Sequence, residues 1–152
     1  LILVGKTNDK HFQTGIDDYC QRIGHYMPFS ITVIPELKNT KSLSFQQQKE
    51  REGELILAKL QSSDHVVLLD EHGKDFRSVE FARWIEQKNA SVRRLVFVIG
   101  GPYGFSETVY SRANEKISLS KMTFSHQMVR LVFVEQIYRA CTIIKGEPYH
   151  HE

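Results

Sequence analysis

Leu95-Val96-Phe97-Val98-Ile99-Gly100-Gly101-Pro102-Tyr103-Gly104 is the stretch on which the fold of this chain turns. Its first five residues form an unbroken apolar run rich in β-branched side chains, which predicts a strand buried on both faces, as in a parallel sheet. The run breaks into a Gly-Gly-Pro-Tyr-Gly turn, where missing side chains let backbone approach a ligand closely. Further along, Ile117-Ser118-Leu119 predicts a short strand opening into Ser120-Lys121-Met122-Thr123-Phe124. Two strand-end loops so near each other are where an open α/β sheet holds a small ligand.

Working outward, strand and helix signals alternate. Phe12, Ile16, Tyr19 and Ile23 recur at helical spacing, predicting an amphipathic helix over 11–24. A β-branched strand is expected over 29–34, stopped by Pro35, and after a polar loop a charged helix over 45–60. Val66-Val67-Leu68-Leu69-Asp70 predicts a third buried strand, ending in a turn over 71–74. Ser78 is placed to cap a helix carrying Val79, Ala82, Trp84 and Ile85, and Ser106 to cap a short helix reaching 113. The last helix is expected over 126–145, with Ser125 as its cap and Gly146 as its stop. Its apolar residues cover more than one face, which means central burial or a partner chain, and a homodimer interface is the expectation for a protein this small. The β/α alternation implies a parallel sheet covered by helices, hence an α/β fold.

Composition narrows the function classes. A chain of 152 residues with 41% hydrophobic and 25% charged residues fits one globular domain spanning 1–152. No apolar run approaches the roughly 20 residues of a membrane span, so no membrane partner is expected. Cys20 and Cys141 are too few and too far apart for a disulfide scaffold or zinc site, which fits a reducing cytoplasm. A net charge of +2 neither demands nor forbids nucleic acid, since a local basic patch is what binds phosphate.

Several motifs lead nowhere. Gly5-Lys6-Thr7 lacks the upstream glycine of a phosphate-binding loop, and the Gly100–Gly104 turn fails the dinucleotide spacing. Tyr149-His150-His151-Glu152 reads as a polar chain end rather than a metal site, because adjacent histidines rarely ligate one ion; no metal is expected. His72, Lys74, His126 and Arg139 each fit an ordinary solvated position. No covalent nucleophile stands in a recognisable setting. That directs attention to chemistry in which a bound cosubstrate supplies the reactive group.

The chain resembles a known family through several segments taken together. They are Val98–Gly104, Leu119-Ser120-Lys121-Met122-Thr123-Phe124, His126-Gln127-Met128-Val129-Arg130, Glu135–Ala140 and the closing Pro148-Tyr149-His150. These look like the RlmH (YbeA) family of small bacterial methyltransferases in the SPOUT superfamily, along essentially the whole length. The resemblance implies a trefoil knot in the C-terminal half, a homodimer built on the last helix, and S-adenosylmethionine as methyl donor. It implies methylation of N3 of a pseudouridine in 23S ribosomal RNA of the assembled ribosome. Carried over by motif, the cofactor residues are Leu69, Gly100, Leu119, Ser120, Lys121, Met122, Thr123 and Phe124. Tyr149 and His150 are expected to arrange the target base and assist proton removal. Arg130, with Arg139, is expected to touch RNA phosphate or developing charge. His151 stands where some relatives carry Arg, and Ser125 where relatives often have Pro. Two other readings stand beside this one: a SPOUT enzyme acting on transfer RNA, and a non-catalytic flavodoxin-like domain binding a nucleotide.

Overall fold

The computed structural model describes residues 1–152. Its elements are β1 (Ile2–Val4), α1 (Lys10–Ile23), β2 (Thr32–Ile34), a 3-10 turn (Thr40–Ser42), α2 (Phe45–Ala58), β3 (Asp64–Asp75), α3 (Ser78–Ser91), β4 (Arg94–Ile99), α4 (Glu107–Arg112), β5 (Glu115–Ser118) and α5 (Met128–Lys145). The strands form one sheet in the order β2-β1-β4-β3-β5, and every neighbouring pair runs parallel. This is the α/β architecture the alternating signals predict.

The period-two alternation of each strand sorts its side chains onto two layers. Val96 and Val98 of β4 join Ile2, Val4, Val66 and Leu68 on the face covered by Ile56 of α2 and Val109 of α4. Phe97 and Ile99 point the other way with Leu3 and Val67, toward α1, α3 and α5. There α5 lies against both α1 and α3. Its inner stripe of Phe133, Val134 and Ile137 is fully buried. Each such side chain contributes about 1.5–3 kcal/mol by leaving water, and Ile137→Ala would cost about 2–5 kcal/mol.

Side-chain caps fix most helix starts. Ser44 and Gln47 form a reciprocal capping box on α2, and Ser106 Oγ accepts the Val109 N–H at 3.3 Å. Ser125 Oγ accepts the Met128 N–H at 3.1 Å, and Gly146, at φ 71°, ends α5 in the left-handed region. Ser78 does not cap α3. It is the first helical residue, and the Arg77 N–H donates to the Glu80 carboxylate at 2.9 Å instead.

Two strands depart from expectation. β2 is only Thr32–Ile34, because it is an edge strand whose sole neighbour, β1, offers three residues to pair. β3 runs on to Asp75, where a turn over 71–74 was expected. Leu69 and Lys74 both pair with Ile117, so the intervening residues bulge out and the chain rejoins β5. Gly73 permits this, since a Cβ there would meet Ile117 backbone atoms at 2.5–2.7 Å.

Candidate functional site

The bulge of β3 and the C-terminal ends of β4 and β5 enclose a cavity of about 530 Å³. Its first wall is Leu69 to His72, its second Ile99 to Phe105, and its third Ser118 to Phe124, with His126 and Val129 at the start of α5 closing the side. This is the crevice position expected of an open parallel sheet.

Each wall is braced by short-range contacts. In the second, the Gly104 N–H donates to the Gly101 carbonyl at 3.2 Å, and Gly104 takes φ 81°. Gly100 backs onto the Phe105 ring so closely that a Cβ would stand 3.0 Å from it. In the third, Ser118 Oγ donates to the Ser120 carbonyl at 3.0 Å, and Ser120 Oγ accepts the Met122 N–H at 3.0 Å. That self-bracing turn holds the Met122 side chain in solvent, 80% exposed. In the first, Asp70 accepts the His72 N–H at 2.8 Å and the Tyr110 hydroxyl. Burial, then the Asp70 hydrogen bond, raises the Tyr110 phenol far above its usual range, so it is a fixed donor at neutral pH.

Of the sequence-predicted cofactor residues, Leu69, Gly100, Leu119, Ser120, Met122, Thr123 and Phe124 all line the cavity. Lys121 is exposed and lies outside the lining. The backbone N–H and C=O of Gly100 and of Leu119 make no hydrogen bond within the chain, which leaves them free for a flat polar ligand edge. Asp70, Glu71, Tyr103 and Tyr110 also line the cavity and escaped the sequence. Asp70 closes the expected third strand and Glu71 opens the turn after it, and that position was the available signal.

The chain end is elsewhere. Tyr149 and His150 are not in the cavity lining; they fold back onto α5. The Tyr149 hydroxyl donates to Glu135 Oε1 at 3.0 Å, which also accepts an Arg139 N–H at 2.7 Å. The Arg139 guanidinium sits 4.8 Å from the Tyr149 ring centre and meets His150 Nδ1 at 3.2 Å. Arginine has only donors, so His150 Nδ1 must accept, and neutral His150 carries its proton on Nε2. That Nε2 is buried without a hydrogen-bond partner. Burial foremost, with hydrogen bonds to Tyr19 and Glu135, raises the Tyr149 phenol far above its usual range. The one Tyr149 proton is thus taken by Glu135, and the unpartnered donor of the pair is His150 Nε2–H. Glu135 and Val129 are six residues apart on α5, about 9 Å along its axis.

Arg130 corrects an expectation. It does not face outward to meet phosphate; it is fully buried. Its guanidinium donates to the Val4 carbonyl at 2.7 Å, the Gly5 carbonyl at 2.9 Å, the His126 carbonyl at 3.1 Å and Thr7 Oγ1 at 3.0 Å. It ties the end of β1 to the start of α5. Its place was legible, since Phe133, Val134 and Ile137 follow it at helical spacing on the inner face. Desolvation lowers its pKa, with Glu36 acting weakly against that.

No three His, Cys, Asp or Glu side chains come together as a metal site. No helix is long and apolar enough to cross a membrane.

The family model described as a predicted SPOUT methyltransferase matches residues 1–150. A protein of Bacteroides fragilis named ribosomal RNA large subunit methyltransferase H is 67% identical, over 100% of this chain and 98% of that protein. Proteins of the same name from Phocaeicola vulgatus and Flavobacterium johnsoniae are 65% and 59% identical, with the same coverage of each chain.

Proposed function

Because this chain belongs to the SPOUT methyltransferase family, we propose that it transfers a methyl group from S-adenosylmethionine to N3 of a pseudouridine in 23S ribosomal RNA, on the assembled ribosome. The observation that carries the reading is the convergence of Leu69, Gly100 and the Leu119–Phe124 segment on one cavity. The names of the relatives support ribosomal RNA as the acceptor.

The cavity fits the donor by its own chemistry. Its volume of about 530 Å³ suits a nucleoside-sized ligand. Leu69, Leu119 and Phe124 offer apolar surface for an adenine ring, and the free backbone groups of Gly100 and Leu119 offer hydrogen bonds to its edge. When bound, S-adenosylmethionine supplies a methyl group on a positively charged sulfur. The protein's task is then to position the acceptor nitrogen in line and to make its imide proton easier to lose.

Tyr149 and His150 serve the acceptor side in this proposal. His150, its Nδ1 held by Arg139, donates Nε2–H to a carbonyl flanking N3 and stabilises the imide anion, Arg139 adds positive charge, and Tyr149, its one proton held by Glu135, helps to set the place of the base. The N3 proton leaves to water, its loss eased by that hydrogen bond to the carbonyl, and Arg130 takes no part. His150→Ala should cut turnover while leaving donor affinity intact; equal activity would remove it from the mechanism.

The remaining proposals are one domain over the whole chain, a homodimer, a trefoil knot and cytoplasmic work on ribosomes. The half-buried apolar residues Leu131, Val132 and Ile143 on α5 support a homodimer. The path of 118–124 beside the 99–105 loop, before α5 returns between α1 and α3, supports the knot. The test is methyl-labelled S-adenosylmethionine offered in parallel with intact ribosomes, free ribosomal RNA and transfer RNA. Label in the large-subunit RNA of ribosomes is expected. Label only in transfer RNA would replace this acceptor with another.

A further inference from the structure

Two aromatic side chains stand exposed at the cavity rim, and the methyl-transfer chemistry uses neither. Phe45 is 64% exposed and Tyr103 40%, yet their rings stack with centroids 4.3 Å apart and planes at 20°. Tyr103 lines the cavity from the glycine turn after β4, and Phe45 is the first residue of α2, directly behind its Ser44 cap. Large aromatic rings usually bury most of their surface. Here a capped helix start and a tight turn hold both rings outward, beside the mouth of the site.

The charge next to Phe45 in the chain is mainly positive, with Glu36 and Glu50 bounding segment 37–49 and Glu52 seven residues on along the same helix face. The segment 37–49 holds Lys38, Lys41 and Lys49 and no Asp or Glu. Lys41 lies in the 3-10 turn before α2, and Lys49 is four residues beyond Phe45, on the same helix face. The rest of the segment is largely Asn, Thr, Ser and Gln. Flat aromatic surface flanked by cations and neutral hydrogen-bonding groups matches an unpaired nucleobase with its phosphates. A protein partner is the poorer fit, because the cores of protein interfaces are depleted in lysine.

We propose that the stacked Phe45–Tyr103 pair, with the lysines around Phe45, is a platform for an unpaired RNA base next to the methylated nucleotide. The proposal rests on the RNA methyl-transfer reading. The target enters the cavity while its neighbour lies on the outer ring, which fixes the strand relative to the donor. Phe45 is mostly in solvent, so replacing it leaves the fold intact.

The test pairs kinetics with cross-linking on intact ribosomes. Phe45→Ala should raise KM for ribosomes about tenfold, the loss of one base stack, with kcat and affinity for S-adenosylhomocysteine unchanged; Phe45→Trp should restore KM. A photoreactive benzoylphenylalanine in place of Phe45 should cross-link to ribosomal RNA. An unchanged KM in Phe45→Ala, or cross-links to ribosomal protein alone, would overturn the platform. Wild-type protein that labels no ribosome would overturn the underlying reading, and the cross-linked species would still decide for or against the platform.

Discussion

Replacing Gly73 by Ala should damage both the fold and the site. Gly73 needs no special backbone angle; what it needs is room. A Cβ there would lie 2.5 Å from the Ile117 carbonyl carbon, and 2.6 and 2.7 Å from its nitrogen and Cα, where ordinary contacts begin at 3.4 Å. All three are backbone atoms, so no side chain can swing away. The strand itself must retreat by about 0.9 Å, the shortfall of the closest contact. β5 is the edge strand with β3 as its only neighbour, so it is the element that moves. Ile117 is a core residue at 2% exposure, and Ser118 leads directly into the third wall of the cavity. Overpacking of this kind costs about 1–3 kcal/mol, which for a chain of this length lowers Tm by about 2–12 °C. Calorimetric unfolding measures the first effect, and titration with S-adenosylhomocysteine the second, a weakened donor affinity. A Gly73→Ala protein with wild-type Tm and wild-type donor affinity would refute the reasoning.

Arg130→Met keeps the bulk but leaves the Val4 and Gly5 carbonyls without their donor. The expected net loss is about 2 kcal/mol, since each unpaired buried carbonyl costs about 1–3 kcal/mol and part is offset by no longer burying a charge. Arg130→Lys should not restore it, for one ammonium cannot reach all these acceptors; urea unfolding checks both, and wild-type midpoints would contradict the staple. Gly100→Val should weaken donor binding and also lower Tm, because its side chain must displace the buried Phe105 ring that lines the cavity; undiminished calorimetric affinity would count against the cavity. For pH, the Arg94 hydrogen bond, with burial opposing it, holds the Asp64 carboxyl below its usual range. A depressed folded pKa contributes stability that is full above the ordinary Asp value of about 3.9 and is lost as pH falls through the folded value. Wild type should therefore lose more stability than Asp64→Asn on acidification from about pH 5 downward, and parallel denaturation curves would contradict the pairing.

What the sequence could and could not say divides along physical lines. Strand and helix order was legible because alternation and helical spacing report burial, and the 95–99 run and the helix after Ser125 carry those signals strongly. The cavity walls were legible as segments, by resemblance and by position at strand ends. The extension of β3 to Asp75 was not, because its pairing with Ile117 joins residues far apart in sequence and depends on a bare Gly73. The shortness of β2 was equally hidden, since it follows from the length of β1 rather than from Phe29 or Ile31. Arg130 was misjudged by residue type, although its spacing to Phe133 and Ile137 places it inside. The place of the chain end was not legible, because it is set by the Glu135–Arg139 pair on α5, which draws Tyr149 and His150 back along the helix.

The most direct test is a crystal structure of the protein with S-adenosylhomocysteine. The ligand should fill the crevice bounded by Leu69, Gly100 and Leu119–Phe124, with its adenine against the backbone of Gly100 and Leu119. Density instead in the cavity of about 800 Å³ at the opposite end of the strands, beside Phe29 and Arg94, would contradict the account.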